Sequence, residues 1–177
     1  MAQDHAVPAQ TGEITPVAIR PGIDLEINGE RYRHTGDPQM PLLWYLREVL
    51  RLDGTKYAGE HGEGGSDLVL VNGKAVSSIG VPMSKLSGKQ VVTVEGLADS
   101  KGKLHPLQQA FIDEDAIGCG YCTPGWLIAS MDLLNRHKDP NDGDIDTLPN
   151  LCRCGCQTRV RSAIKRAAGV MKQGAKA

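Results

Sequence analysis

Apolar and polar residues alternate through "IDLEINGERYRH", residues 23–34, on either side of Asn28-Gly29. A period of two around an Asn-Gly pair predicts a β-hairpin. The period changes in "MPLLWYLREVLRL": Leu42, Leu43, Leu46, Val49 and Leu50 fall on one side of a helix, and Pro41 suits its first turn. A glycine-dense stretch follows, "TKYAGEHGEGGSDLVLVNG" over residues 55–73. It runs into "DLVLVNGKAVSS", a strand, an Asn-Gly turn and a second strand, and "KQVVTVEG" closes the series. Several strands and a single helix predict a small α+β domain.

From about residue 105 the pattern becomes helical throughout. Leu107, Ala110 and Phe111 in "HPLQQAFIDED" have helical spacing. So do Leu127, Ile128, Met131 and Leu134 in "TPGWLIASMDLLNRH", and Val160, Ala163, Ile164 and Ala167 in "QTRVRSAIKRAAGVM". These stripes predict a bundle core. "KDPNDGD" reads as a polar loop between the last two helices. The expected organisation is an arm over 1–22, a strand-rich domain over 23–96, a linker over 97–105 and a helical domain over 106–177.

Composition narrows the function. The chain has 177 residues, 40% of them hydrophobic, which suits one domain or two small ones. Net charge is −1 and aromatics are 4%, so neither electrostatics nor base stacking favours nucleic acid or an anionic membrane. No apolar run has the length of a membrane span. The first 22 residues carry three prolines, no periodicity, no basic n-region and no apolar h-region. They read as a flexible arm without a secretory signal, and assembly in the cytoplasm is the expectation.

The five cysteines are clustered rather than spread. A disulfide framework distributes its cysteines along a small secreted chain, so clustering points to metal. Cys119 and Cys122 form a C-x2-C pair, and Cys152 and Cys154 a C-x-C pair. Each pair adjoins a predicted helix. Thr123 suits the N-cap of the first, with Pro124 in its first turn. Thiolates placed there gain from free N–H donors and the helix dipole. Four sulfurs fit zinc or an iron–sulfur cluster, and spacing leaves both open. A zinc-stabilised scaffold without a redox role is therefore the competing function.

"HPLQQAFIDEDAIGCGYCTPG" and "NLCRC" resemble the helical cluster domain of the small iron–sulfur subunit of the xanthine oxidase family of molybdenum hydroxylases. "LLWYLREVLRLDGTKY", "LVLVNGKAVSS" and "VPMSKLSGKQVVTVEGLA" resemble the ferredoxin-like β-grasp half of the same protein. The likeness runs unbroken over roughly residues 23–169. It implies an α+β chain, with a β-grasp domain followed by a four-helix [2Fe–2S]-binding domain. Cys119, Cys122, Cys152 and Cys154 are then the ligands of one [2Fe–2S] cluster.

The resemblance further implies a large partner subunit carrying molybdopterin, in the cytosine dinucleotide form, where an aldehyde or N-heterocycle is oxidised. This chain would supply no catalytic residue and would pass electrons to an acceptor. In two-cluster members the glycine loop holds a second cluster, with plant-type ligand spacing. In register those positions are Gly59, Gly64, Asp67 and Ile79, none of them cysteine. The expectation is a β-grasp fold that has lost its cluster. Its acceptor would then differ from the usual flavoprotein, a cytochrome c subunit being one choice. Such an acceptor would place the complex in the periplasm or at the inner membrane.

Glu60, His61, Glu63 and Asp67 could bind a divalent ion, or simply form a solvated acidic loop. Gly118 stands where family members often have a glutamine that can approach the pterin. Cys156 has no clear counterpart and reads as a free thiol, with a register in which it replaces Cys154 still open.

Overall fold

The computed structural model of the chain describes residues 21–174. The arm expected over 1–22 lies almost wholly outside the described residues. Five strands form one mixed sheet in the order β2-β1-β5-β3-β4. β1 (Ile23–Ile27) and β2 (Glu30–His34) pair antiparallel, as the Asn28-Gly29 signal predicts. β3 (Leu68–Val71) and β4 (Lys74–Ser77) pair the same way around Asn72-Gly73. All four turn residues have positive φ, between 49° and 84°, which a two-residue hairpin loop requires. β5 (Gln90–Val92) lies parallel to β1 and antiparallel to β3 and so joins the hairpins. "KQVVTVEG" is strand only in its first part, since Val94–Leu97 turns into a 3₁₀ segment.

The helix expected in "MPLLWYLREVLRL" is present but changes pitch. α1 (Leu42–Trp44) continues as a π-helical turn, Tyr45–Val49, in which the Leu50 N–H bonds the Tyr45 carbonyl. The wider turn rotates the apolar stripe. Leu42, Leu43, Tyr45 and Leu46 are buried, whereas Val49, expected on the inner face, is 54% exposed. Leu42, Tyr45 and Leu46 pack with Leu25, Ile27, Val69, Met83 and Val91 beneath the sheet.

The second half holds α2 (Pro106–Asp113), α3 (Thr123–Arg136), α4 (Asp142–Asp146) and α5 (Gln157–Gly174). The polar loop expected at "KDPNDGD" contains α4. Asn141 accepts from the Asp144 N–H at 3.1 Å and Asp144 accepts from the Asn141 N–H at 2.9 Å, a reciprocal cap that starts this short helix. Leu107, Phe111, Leu133, Val160, Ile164 and Ala167 form the helical core.

The two halves share a boundary that periodicity did not show. Ile128 and Ala129 of α3 pack with Leu68 and Leu70 of β3 in a separate buried cluster. α3 therefore carries two apolar faces, one toward the helices and one toward the sheet.

Candidate metal centre

Two turns build the site. The first, Cys119–Cys122, leads into α3; the second, Cys152–Cys156, leads into α5. Each needs one residue in the left-handed region. Gly120 at φ 83° and Gly155 at φ 75° supply it without a Cβ penalty. The N-cap of α3 is Cys122 rather than Thr123, because Thr123 is already helical, and the Cys122 carbonyl accepts from the Trp126 N–H at 3.1 Å. The Cys156 carbonyl accepts from the Val160 N–H at 2.9 Å in the same manner.

The structure brings the four expected residues together as two pairs. Cys119 and Cys154, both exposed, share a side-chain hydrogen bond; Cys122 and Cys152, both half-buried, share another. Each pair takes one sulfur from each turn. In each, one thiol ionises more readily than its partner. The Tyr121 N–H, then the Cys154 thiol, hold Cys119 below the ordinary thiol range. Cys154 is raised: the Cys119 backbone acts to lower it, but the thiol it donates to Cys119 and the neighbouring charges outweigh this. Burial, then the hydrogen bond with Cys152, push Cys122 up to about 12. Burial also opposes ionisation of Cys152, yet backbone donors from Cys156 and Cys154 and the thiol of Cys122 bring it below the ordinary range.

Such a donor set fits an iron–sulfur cluster. It offers four soft sulfurs, two of which ionise more readily than a free thiol, with N–H donors aimed at them. Among the described residues no three His, Cys, Asp or Glu side chains gather around one point that would hold a single ion.

Cys156 adjoins the inner pair, its thiol as well as its backbone bonding Cys152. It is 1% exposed; its N–H donates to Cys152 Sγ at 3.4 Å, and Arg159 Nη2 donates to its own Sγ at 3.4 Å. Gly118 packs against neighbouring sulfurs. A Cβ there would lie 2.7 Å from Cys154 Cβ, 3.0 Å from Cys154 Sγ and 3.1 Å from Cys156 Sγ.

The glycine loop is closed over Asp67. This carboxylate is fully buried, and its Oδ2 accepts from Ser77 Oγ at 2.5 Å and from the Ile79 N–H at 3.3 Å. Its Oδ1 is buried without a partner. Gly59 and Gly64 flank tight turns, with the Gly62 N–H on the Gly59 carbonyl at 3.3 Å and the Gly64 N–H on the Ala58 carbonyl at 3.1 Å. The loop's acidic residues and His61 do not converge. Glu63 accepts from the His61 N–H, Glu60 is exposed and Asp67 faces the sheet.

Two further residues belong to this site, each inside a stretch that carries the resemblance but with no partner marked by the sequence. The Tyr121 hydroxyl donates to the Tyr57 carbonyl at 2.7 Å, and Asn150 Nδ2 donates to the Gly65 carbonyl at 2.7 Å. Position is their one sequence signal: each is a polar side chain within or close to a cysteine pair.

Residues 93–165 match the [2Fe–2S] binding domain family. The chain is 41% identical over 148 residues to the A chain of nicotinate dehydrogenase of Pseudomonas putida, covering 82% of this chain and 94% of that one. It is 40% identical over 149 residues to the alpha chain of isoquinoline 1-oxidoreductase of Brevundimonas diminuta, covering 82% and 97%. Quinoline 2-oxidoreductase from Pseudomonas putida 86 contains a chain with TM-score 0.81 and 32% identity, covering 87% of this chain and 97% of that one. The present chain belongs to the small iron–sulfur subunits of the molybdenum hydroxylases, the non-catalytic members of xanthine oxidase-family oxidoreductases.

Proposed function

We propose that this chain binds one [2Fe–2S] cluster through Cys119, Cys122, Cys152 and Cys154. It thereby links the molybdopterin centre of a large partner subunit to a downstream electron acceptor. The observation that carries this is the pairing of the thiols, Cys119 with Cys154 and Cys122 with Cys152. One iron per pair satisfies the donor set. When bound, the cluster supplies one-electron chemistry without making or breaking a bond to substrate. The residues hold it, and N–H donors from Tyr121, Cys154 and Cys156 bias its sulfurs toward negative charge.

The five-stranded sheet over α1 supports a β-grasp domain at 23–96, and α2 to α5 support a four-helix domain at 106–177, joined by a linker at 97–105. The first domain holds no second cluster in this proposal. Glycine and isoleucine offer no donor at Gly59, Gly64 and Ile79, and Asp67 is engaged with Ser77 and Ile79. An electron route that lacks this station favours an acceptor other than the usual flavoprotein, such as a cytochrome c subunit. The relatives' names favour an N-heterocycle as the complex's substrate, with an aldehyde the other class that the resemblance implies, and the cytosine dinucleotide form of the pterin is the expected one. No helix among the described residues is long and apolar enough to cross a membrane. The complex would assemble in the cytoplasm, and a cytochrome acceptor would set a periplasmic or membrane-associated location.

Iron, acid-labile sulfide and zinc per chain, with EPR after dithionite, test the site. Two irons and one rhombic [2Fe–2S] signal are expected. Cys154→Ser should lose the signal and Cys156→Ser should keep it. Four irons with two signals would refute the single-cluster assignment, and zinc without iron would leave a scaffold. Covalent haem on a co-purifying subunit supports the cytochrome acceptor; flavin in its place refutes it.

A further inference from the structure

Both cysteine turns are held by one outside element. Tyr121, between Cys119 and Cys122, donates its hydroxyl to the Tyr57 carbonyl at 2.7 Å. Asn150 and Leu151, directly before Cys152, donate to the Gly65 carbonyl at 2.7 Å and the Gly64 carbonyl at 3.3 Å. All three acceptors lie in segment 57–65, which contains no cysteine.

The fit leaves no slack. A Cβ on Gly125, in the first turn of α3, would collide with the Gly65 carbonyl oxygen. A Cβ on Gly65, itself at φ 66°, would lie 2.6 Å from Asn150 Nδ2. The segment is braced internally. The Gly65 N–H bonds the Gly62 carbonyl at 3.0 Å, the Gly64 N–H bonds the Ala58 carbonyl at 3.1 Å, and the Lys56 N–H bonds the Ser66 carbonyl at 3.1 Å.

We propose that the glycine loop 57–65 is the positioning element of the cysteine site, its carbonyls setting the separation between the turn at 119–122 and the turn at 150–154. That separation matters because each thiol pair takes one sulfur from each turn. Turns free to drift would change both sulfur–sulfur spacings together. The loop thus has a task that needs no ligand of its own: its glycines allow backbone-to-backbone approach, and its carbonyls face the neighbouring domain. Tyr121 and Asn150 are positioning residues acting through the cysteines they flank. The inference rests on the assignment of those four cysteines as cluster ligands.

The test uses the purified complex carrying Tyr121→Phe, Asn150→Asp or Gly65→Ala. Asn150→Asp keeps the side-chain shape but puts an acceptor against the Gly65 carbonyl. Three quantities are read on folded protein: EPR g-values, the midpoint potential by dithionite titration, and the rate of iron release to bathophenanthroline disulfonate. Altered g-values, a shifted potential and iron release faster by about tenfold or more are expected, on the scale found for groups that orient metal ligands. Unchanged values in both Tyr121→Phe and Asn150→Asp would overturn the proposal. Should Asn150→Asp or Gly65→Ala not fold, Tyr121→Phe decides, since it removes only an exposed hydroxyl. A parent complex without a [2Fe–2S] signal would instead refute the ligand assignment.

Discussion

Asp67 accepts the Ile79 N–H on its side-chain carboxylate at 3.3 Å, joining two of the four positions where the resemblance places ligands of a second cluster. A hydrogen-bonded tie stands in this chain where the resemblance places a metal cross-link in two-cluster members. Ser77 Oγ reinforces it on the same oxygen, and Ser78 bonds the Asp67 carbonyl through its N–H at 3.1 Å and its hydroxyl at 2.6 Å. Removing the carboxylate strands a half-buried N–H and hydroxyl. Asp67→Ala should lower unfolding free energy by about 1.5–3 kcal/mol, the scale of hydrogen bonds to a charged group. Denaturant unfolding with the midpoint unchanged would show that the carboxylate does not hold the loop.

Gly118 has no room for a side chain. Its missing Cβ would press on Cys154 Cβ at 2.7 Å and on Cys156 Sγ at 3.1 Å. Gly118→Ala should therefore displace Cys154 and reduce iron per chain. Adding Cys156→Gly removes one of the obstructing sulfurs and should restore part of the iron. Equal iron in parent and Gly118→Ala would mean that the turn yields freely.

What could be read from the residues depended on how local the cause was. Asn28-Gly29 and Asn72-Gly73 announced both hairpins because positive φ is required within the turn itself. The cysteine spacing placed the four sulfurs next to helix starts, and the structure pairs them there. The π-helical turn at Tyr45–Val49 was hidden, since a stripe of leucines fits an α-helical count equally well. Asn141 and Asp144 form a reciprocal cap inside what reads as a charged loop, because Asp and Asn signal turns and helix starts alike. Asn150 and Gly65 are 85 positions apart, and no pattern along the chain joins them.

Ile128 tests whether the halves are independent. It is fully buried between α3 and the Leu68 and Leu70 side chains of β3. Ile128→Ala should cost about 2–5 kcal/mol, the range for large-to-small core changes. Because the cavity opens at the shared boundary, both halves should lose stability in one transition, read by far-ultraviolet circular dichroism and by cluster absorbance. Loss of the helical signal at the parent midpoint, with the sheet melting earlier, would show two uncoupled units.

His105 makes stability depend on pH. Its Nδ1 accepts the Leu107 N–H at 3.2 Å, and its backbone N–H donates to Gln108 Oε1 at 2.9 Å, capping α2. Burial lowers the His105 pKa below 6.5, and only the neutral ring can accept at Nδ1. The unfolded chain therefore takes up a proton that the fold excludes. The contribution is complete above pH 6.5 and is lost as pH falls below that value toward the depressed folded pKa. A charged ring would also face the positive end of α2. His105→Asn keeps a capping side chain that does not titrate. Between pH 7.5 and 5.5 the Tm of the parent should fall further than that of His105→Asn, while parallel profiles would show that other groups set the acid sensitivity.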